Sequence, residues 1–396
     1  MFTDKNILVG ITGGIASYKT CELVRSLAKA GAQVKVVMTE AAKQFVTPLT
    51  FETLSGNSVS WDQFKNSTIH IDLARDADCI VVCPATANTI SKIANGIADN
   101  LLTTLISAAT VPVILCPAMN KEMYRNAIFQ ENLQKLKKHG YHVVDPGQGE
   151  LACGEHGWGR LAEEKDILFK VRSVFHGSNA LKNMKVVVTA GPTEESLDPV
   201  RVFTNHSSGK MGYALAEAAA MHGAKVTLIS GPVHLPTISE INLMHTKTAQ
   251  EMRDAVIKEI SDANILIMAA AVADFSPKQI SKQKIKKSAD SFHVELKKTP
   301  DILAEVSQMK NNTILIGFAL ETENEVSNAL QKLEQKHLDF IVLNNPLESG
   351  SAFGSDQNQV MIIENEQKIE KLPLLSKQEV AERIILKAIE RMKSDG

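Results

Sequence analysis

The 396-residue chain has no surplus of charge of either sign: 43 Lys and Arg stand against 45 Asp and Glu. That balance argues against a dedicated nucleic-acid surface, which needs a basic patch to displace counterions. Long hydrophobic runs are also missing. The longest are broken by Asp, Asn or Pro, so none reads as a membrane span. The N-terminus enters a strand almost at once, without a signal-peptide apolar region and cleavage site. Five cysteines include no Cys-x-x-Cys pair, and the odd number fits free thiols in a reducing cytoplasm. Neither a full Gly-x-Gly-x-x-Gly turn nor a Walker Gly-x-x-x-x-Gly-Lys-Ser/Thr loop occurs at a strand end, because Lys210 is followed by Met211. A dinucleotide clamp and a P-loop are thereby disfavoured.

What is present begins twice. Lys5-Asn6-Ile7-Leu8-Val9-Gly10-Ile11-Thr12-Gly13-Gly14 is echoed by Lys182-Asn183-Met184-Lys185-Val186-Val187-Val188-Thr189-Ala190-Gly191. The length exceeds one ordinary core and suits two domains of about 180 to 210 residues. We place them at 1–178 and 183–396, with the linker near Phe175–Lys182, where His, Gly, Ser and Asn cluster. In the first, Ile7–Ile11, Val34–Met38, Cys79–Cys83 and Val111–Cys116 read as doubly buried parallel strands, with helices at Tyr18–Ala30 and Ala98–Ala109. The second repeats the scheme with strands Lys185–Thr189, Lys225–Ile229, Ile265–Ala269, Thr313–Phe318 and Phe340–Leu343. Its helices are expected near Lys210–His222, Ala249–Ser261, Ile302–Met309 and Glu325–Lys336. Val360–Glu364 and Lys368–Leu372 read as a β-hairpin, and Lys377–Met392 as a terminal amphipathic helix. The fold class is α/β: two three-layer domains with mostly parallel sheets, the second carrying an added β-hairpin. Such sheets bind ligands beyond the carboxyl ends of their strands.

In the first domain those ends run into Gly13, Gly14 and Ser17, then Thr39, Thr86, Asn88 and Asn120. Glycines let backbone approach a phosphate and Ser17 adds a donor at a helix N-terminus, although a plain tight turn has the same composition. Asn88 and Asn100 can bond a ring edge or simply cap helices. Cys153 lies in Leu151-Ala152-Cys153-Gly154-Glu155-His156-Gly157-Trp158-Gly159-Arg160, a glycine-rich stretch that reads as a flap bearing a proton-donating thiol. A small buried hydrophobe is the alternative. His70, among apolar neighbours, is either catalytic or a satisfied core imidazole. Cys79, Cys83 and Cys116 are core. In the second domain, Ala269-Ala270-Ala271-Val272-Ala273-Asp274 leaves room for a flat ring and then presents a carboxylate. The run Lys278, Lys282, Lys284, Lys286 and Lys287 is either a solvated loop or a flap over a triphosphate.

Pro117-Ala118-Met119-Asn120, with Ala152-Cys153-Gly154-Glu155 through Arg160 and the Gly13-Gly14-Ile15-Ala16 turn, resembles the flavin-dependent cysteine decarboxylases. Over its whole length the chain resembles the bacterial bifunctional phosphopantothenoylcysteine decarboxylase/phosphopantothenate–cysteine ligase family. That resemblance implies a flavodoxin/Rossmann-like flavoprotein domain holding FMN, followed by a Rossmann-like ligase domain. It assigns His70 to the oxidative and decarboxylation steps, Asn120 to the substrate carboxylate and Cys153 to protonation. In the ligase half it implies that 4′-phosphopantothenate is activated by CTP to an acyl-cytidylate, from which the amine of L-cysteine displaces CMP. Asn205 would contact the acyl-cytidylate, and Met268, Ala269, Ala270 and Asp274 would line the CTP site. Lys284 would meet the phosphates, with Pro300, Asp301, Ile302, Leu303 and Phe318 bordering the nucleotide. Lys332 and Lys336, four apart on one helical face, would join them. Mg2+ is expected with the triphosphate, and Asp274 is the carboxylate to place near it. The resemblance also implies a cytoplasmic homo-oligomer without nucleic-acid or membrane partners, a dodecamer of trimers joined through ligase-domain dimers. Two rival readings are a flavin reductase or prenyltransferase-like domain fused to an unrelated nucleotide-binding domain, and a non-catalytic FMN-binding subunit. The first does not need Asn120 and Cys153 in these motifs; the second does not need His70, Asn120 and Cys153 together.

Overall fold

The computed structural model describes residues 2–65, 67–150, 154–286, 292–309, 312–321, 323–344 and 355–394, and falls into two compact units, Met1–His176 and Gly177–Gly396. The first unit runs β1 (Asn6–Ile11), α1 (Ser17–Lys29), β2 (Gln33–Met38), α2 (Pro48–Ser55), β3 (Val59–Ser60), α3 (Ile69–Asp76), β4 (Cys79–Ala85), α4 (Ala87–Ala94) and α5 (Leu101–Ala108). It continues through β5 (Val113–Pro117), α6 (Lys121–Arg125), α7 (Ala127–Lys138), β6 (His142–Val143), β7 (Gly147–Glu150), β8 (His156–Arg160) and α8 (Glu164–His176). Strands β1 to β6 form a parallel sheet in the order β3-β2-β1-β4-β5-β6.

Parallel strands covered on both faces need apolar residues at every position, and β4 is buried from end to end. Alternate side chains serve different layers. Ile7, Val9 and Ile11 pack with Leu23 and Leu27 of α1 and Val171 of α8, whereas Leu8, Ile80 and Val82 meet Leu102 of α5 and Phe129 of α7. Cys79, Cys83 and Cys116 are fully buried in this sheet, as expected, and burial pushes the Cys79 thiol up to about 12. The Cys79 thiol is therefore inert at neutral pH.

The structure extends and corrects several expectations. The sheet has six strands rather than four, because β3 and β6 contribute only two residues each, too few for any periodic signal. The helix expected from Ala98 starts at Leu101, where Asn100 forms a capping box with Thr103. The stretch around Cys153 is not an irregular loop throughout: its flanks form the antiparallel hairpin β7–β8. Cys153 itself lies outside the described residues.

The second unit comprises β9 (Lys185–Ala190), β10 (Glu194–Ser196), β11 (Val202–Thr204), α9 (Lys210–Met221), β12 (Lys225–Ser230), β13 (Ile241–His245), α10 (Ala249–Ile260) and β14 (Ile265–Met268). Then follow β15 (Phe275–Pro277), β16 (Leu296–Lys298), α11 (Ile302–Gln308), β17 (Ile314–Leu320), α12 (Glu325–Gln335) and β18 (Phe340–Asn344). The chain ends with β19 (Gln357–Asn358), β20 (Val360–Asn365), β21 (Lys368–Lys371), β22 (Leu375–Ser376) and α13 (Lys377–Ser394). Its sheet is ordered β13-β12-β9-β14-β17-β18-β20-β21, parallel through β18, with β20 and β21 antiparallel as the hairpin pattern predicts. The edge strand β13 was not anticipated. Stripped of that hairpin, the strand order matches the first unit, so each sheet reverses direction beside its first strand.

Candidate functional sites at two strand-order reversals

In the first unit the reversal lies between β1 and β4, and the two strand ends are stitched by one side chain. The Thr12 hydroxyl donates to the Pro84 carbonyl at 2.6 Å and accepts from the Thr86 amide at 3.0 Å. Above this seam opens a cavity of about 1320 Å³. Gly13, Gly14, Thr39, Thr86, Asn88 and Asn120 all line it. Thr39 and Thr86 each cap the helical turn that follows, accepting from Ala42 and Thr89 amides. A side chain at Gly13 is impossible without movement, since a Cβ there would lie 2.4 Å from that of Ala41. Ser17 is fully buried at the first turn of α1, in sequence between the lining residues Ala16 and Tyr18 but not itself among the lining residues. Its Oγ has no hydrogen-bond partner.

Asn120 is held at the opposite wall. Its Oδ1 accepts from the Glu122 amide at 2.8 Å and its Nδ2 donates to Glu155 at 2.9 Å. The loop before it is clamped between strand ends: Ala118 donates to the Ala85 carbonyl and Met119 to that of Gly159. Gly159 has a φ of 131°, and a Cβ there would fall 2.2 Å from the Met119 carbonyl oxygen. Only glycine fits. The base of the β7–β8 hairpin is thus fastened to the loop that carries Asn120.

His70, half-buried on α3, does not line the cavity of its own chain, and Cys153 lies outside the described residues. Sequence reasoning missed the segment Trp61–Phe64, which lines the cavity after the two-residue strand β3. It also missed the Lys92–Asp99 ion pair at 2.6 Å on the same wall, in which the ammonium holds the Asp99 carboxyl below its ordinary range. Neither has a motif; only the fold gathers them.

In the second unit the reversal lies between β9 and β14, again stitched by a threonine: Thr189 Oγ accepts from the Ala270 amide at 3.1 Å. Ala269 and Ala270 extend beyond the end of β14 next to Met268, and Asp274 is exposed at the end of the small-residue run. That run is fixed on both sides. Asn205 donates its amide to the Ala271 carbonyl at 2.8 Å, and Thr299, next to Pro300, donates to that of Ala273 at 2.5 Å. Helix α9 starts from Gly209 and passes close to β9, where a Cβ on Gly212 would sit 2.5 Å from that of Ala190 and 2.8 Å from the Thr189 carbonyl oxygen.

Lys284 is exposed, and its loop is anchored through the buried Asp198. That carboxylate accepts from the Arg201 guanidinium and from the amides of Val200, Arg201 and Ile285. The guanidinium, foremost, holds Asp198 well below the usual carboxylate range. Asp301 caps α11, followed by Ile302 and Leu303, and pairs with Lys336 at 3.0 Å. Partial burial raises its carboxyl, but the Ala304 amide and Lys336 outweigh that and keep it low. Lys332 pairs instead with Glu321 at 2.5 Å, just past Phe318 on β17. Lys332 lies on α12 whereas Lys336 caps its C-terminus, outside the helix expected to carry both, and each engages a different carboxylate. Among the described residues, no group of three or more His, Cys, Asp and Glu is placed to hold a metal, and no helix is long and apolar enough to cross a membrane.

Comparison with known proteins covers both units. Residues 1–176 match the Flavoprotein family, and residues 181–392 match the DNA/pantothenate metabolism flavoprotein C-terminal domain. A coenzyme A biosynthesis bifunctional protein CoaBC from Bacillus subtilis is 46% identical over 403 residues, covering 100% of this chain and 99% of that protein. Its counterpart from Vibrio cholerae is 46% identical over 388 residues, covering 96% and 97%. Among solved structures, the C-terminal domain of a CoaBC protein shares 41% identity at a TM-score of 0.47, covering 55% of this chain and 100% of that one.

Proposed function

Since the chain belongs to the family of coenzyme A biosynthesis bifunctional proteins, we propose that it makes an amide in its second unit and decarboxylates that amide's cysteinyl end in its first. In the ligation, a carboxylate oxygen of 4′-phosphopantothenate attacks the α-phosphorus of CTP and pyrophosphate leaves. The amine of L-cysteine then attacks the acyl carbon and CMP leaves. In the second reaction 4′-phosphopantothenoylcysteine loses CO2 to give 4′-phosphopantetheine. The observation that carries the reading is the convergence of Gly13, Gly14, Thr39, Thr86, Asn88 and Asn120 on one cavity at a strand-order reversal.

That site fits FMN. The glycine turn exposes backbone, and the orphaned Ser17 hydroxyl at the first turn of a 13-residue helix is the kind of donor a phosphate satisfies. When bound, FMN supplies a reversible two-electron acceptor, which lets the cysteinyl thiol become an electron-withdrawing thioaldehyde before CO2 departs. Asn120 holds the substrate carboxylate by a neutral amide, so the departing CO2 is not retained by an ion pair. Cys153 donates the proton to the carbon left behind. His70 assists from a neighbouring copy, a role supported by its absence from its own cavity and by exposed Ile71 beside it. The assembly is accordingly a homo-oligomer built on trimers, joined into a dodecamer through the ligase units, in the cytoplasm.

In the ligase unit, Asn205 orients the acyl-cytidylate against the pinned run 268–271. Lys284 and its neighbours neutralise the phosphates, and Pro300 to Leu303, Phe318, Lys332 and Lys336 border the nucleotide. Mg2+ would be held by the triphosphate with Asp274 beside it, and would supply charge neutralisation there. The test supplies purified protein with FMN, CTP, Mg2+, L-cysteine and 4′-phosphopantothenate and follows products by mass. CTP-dependent amide followed by CO2 release is expected; absence of the amide overturns the ligase, and amide without CO2 overturns the decarboxylase. Lys284→Gln should stop cytidylate formation while added 4′-phosphopantothenoylcysteine is still decarboxylated.

A further inference from the structure

The neutral amide of Asn120 is followed directly in the chain by a full positive charge, Lys121. An ammonium turned toward a bound carboxylate would hold it as a charge-assisted ion pair, the arrangement that opposes loss of CO2. The β7–β8 hairpin is shaped to take that charge aside. Gly157 on β8 lies against the lysine stem, and a Cβ there would fall 3.1 Å from Lys121 Cδ and 3.2 Å from its Cβ. The stem thus passes along the strand, and its ammonium lies 3.6 Å from Glu155 Oε1. The second oxygen of the same carboxylate, Oε2, accepts from Asn120 Nδ2 at 2.9 Å. Asn120 Oδ1 is fixed in turn by the Glu122 amide at 2.8 Å. Glu155 therefore engages both neighbours at once, and of the two only Asn120 lines the cavity.

We propose that Glu155 is a positioning residue that keeps the carboxylate subsite of the first unit electrically neutral, by holding the Lys121 ammonium aside and leaving Asn120 to meet the substrate with an uncharged amide. This rests on the decarboxylase reading of the site and adds two residues to it. In the bond-breaking step the electron pair of the carbon–carboxylate bond stays on carbon and passes to the thioaldehyde sulfur. Negative charge leaves the carboxylate oxygens as CO2 forms. A cation bound to those oxygens stabilises the substrate more than the transition state, so it tightens binding and slows the step. A neutral amide loses less as the charge departs. Glu155 supplies the anion that Lys121 would otherwise find in the substrate.

The experiment measures kcat and KM for CO2 release from added 4′-phosphopantothenoylcysteine, with full-length FMN-loaded protein, for wild type, Glu155→Gln, Lys121→Met and the double variant. Glu155→Gln keeps the shape and an acceptor for Asn120 but frees the ammonium. Its KM and its kcat should each fall by about threefold or more. Lys121→Met keeps the stem against Gly157 and leaves the Glu155 charge beside the subsite, so its KM should rise. The double variant, neutral again, should return toward wild type in both constants. Affinity for 4′-phosphopantetheine, which has no carboxylate, should hold its wild-type value throughout, read by calorimetry. A Glu155→Gln protein whose KM rises or stays, or whose kcat is unchanged, overturns the proposal. So does a double variant no better than Glu155→Gln, or a Glu155→Gln protein that loses affinity for 4′-phosphopantetheine, since Glu155 would then be shaping the site rather than setting its charge. A wild type that releases no CO2 refutes the decarboxylase reading itself.

Discussion

Gly212→Ala is a severe test of how closely the ligase crevice is built. The added Cβ would meet Ala190 Cβ at 2.5 Å, the Thr189 carbonyl oxygen at 2.8 Å and Ala190 Cα at 2.9 Å. Carbon atoms pack at about 3.5–4.0 Å, so helix α9 must retreat from β9 by roughly 1 Å. Two of the three clashes are with backbone of a central strand, which cannot rotate aside. Overpacking of this kind costs about 1–3 kcal/mol, offset by the ~1 kcal/mol that alanine contributes over glycine inside a helix. Net destabilisation of the second unit is therefore at most about 2 kcal/mol, small enough to leave it folded. Function should suffer more. The retreat carries along the Asn205–Gly209 loop that precedes the helix, and a displacement of that size at a reacting centre costs on the order of 100-fold in rate. Quench-flow measurement of acyl-cytidylate formation should show that loss, while decarboxylation of added 4′-phosphopantothenoylcysteine stays at the wild-type rate. Wild-type ligation in a correctly folded Gly212→Ala protein would refute the claim that the contact is rigid.

Ser17→Ala should weaken FMN binding by about 10–100-fold, the worth of one hydrogen bond to a charged group, yet leave the flavin-free protein as stable or more so, because the lost hydroxyl is already unpartnered there. Fluorescence titration and thermal unfolding read the two effects, and unchanged FMN affinity would exclude Ser17 from the phosphate site. Asn120→Ala should reduce kcat/KM for decarboxylation by about 100-fold without touching ligation; equal loss in both reactions would point to misfolding instead. Asp198 has its carboxyl depressed in the folded protein, so its contribution is complete above about pH 4 and declines as acid protonates it. Unfolding midpoints of wild type should therefore fall more steeply below about pH 4 than those of Asp198→Asn, and parallel curves would show that the anchor adds nothing.

The long elements were legible because doubly covered parallel strands write uninterrupted apolar runs, as Cys79–Cys83 and Ile265–Met268 do. The edge strands were not, since Val59–Ser60 and His142–Val143 are defined by pairing with a neighbour rather than by their own composition. The same division separates the site residues. Gly13, Thr86 and Asn120 stand directly after strands, where topology alone predicts a crevice. Trp61 and the Lys92–Asp99 pair reach the same cavity from segments whose positions are settled only by tertiary packing. The different engagements of Lys332 and Lys336 were likewise hidden, because helical spacing tells which face a lysine occupies and not which carboxylate it finds.

The threonine at the end of each first strand sets a mechanical condition on everything above it. Thr12 and Thr189 rivet the two strands that border each crevice, so neither mouth can widen without breaking a hydrogen bond. Adaptation to a new ligand must then come from the loops, on a frame of constant gauge. For an engineer this makes the segments after β2, β5 and β14 interchangeable parts, to be exchanged between relatives while the riveted strands are left alone.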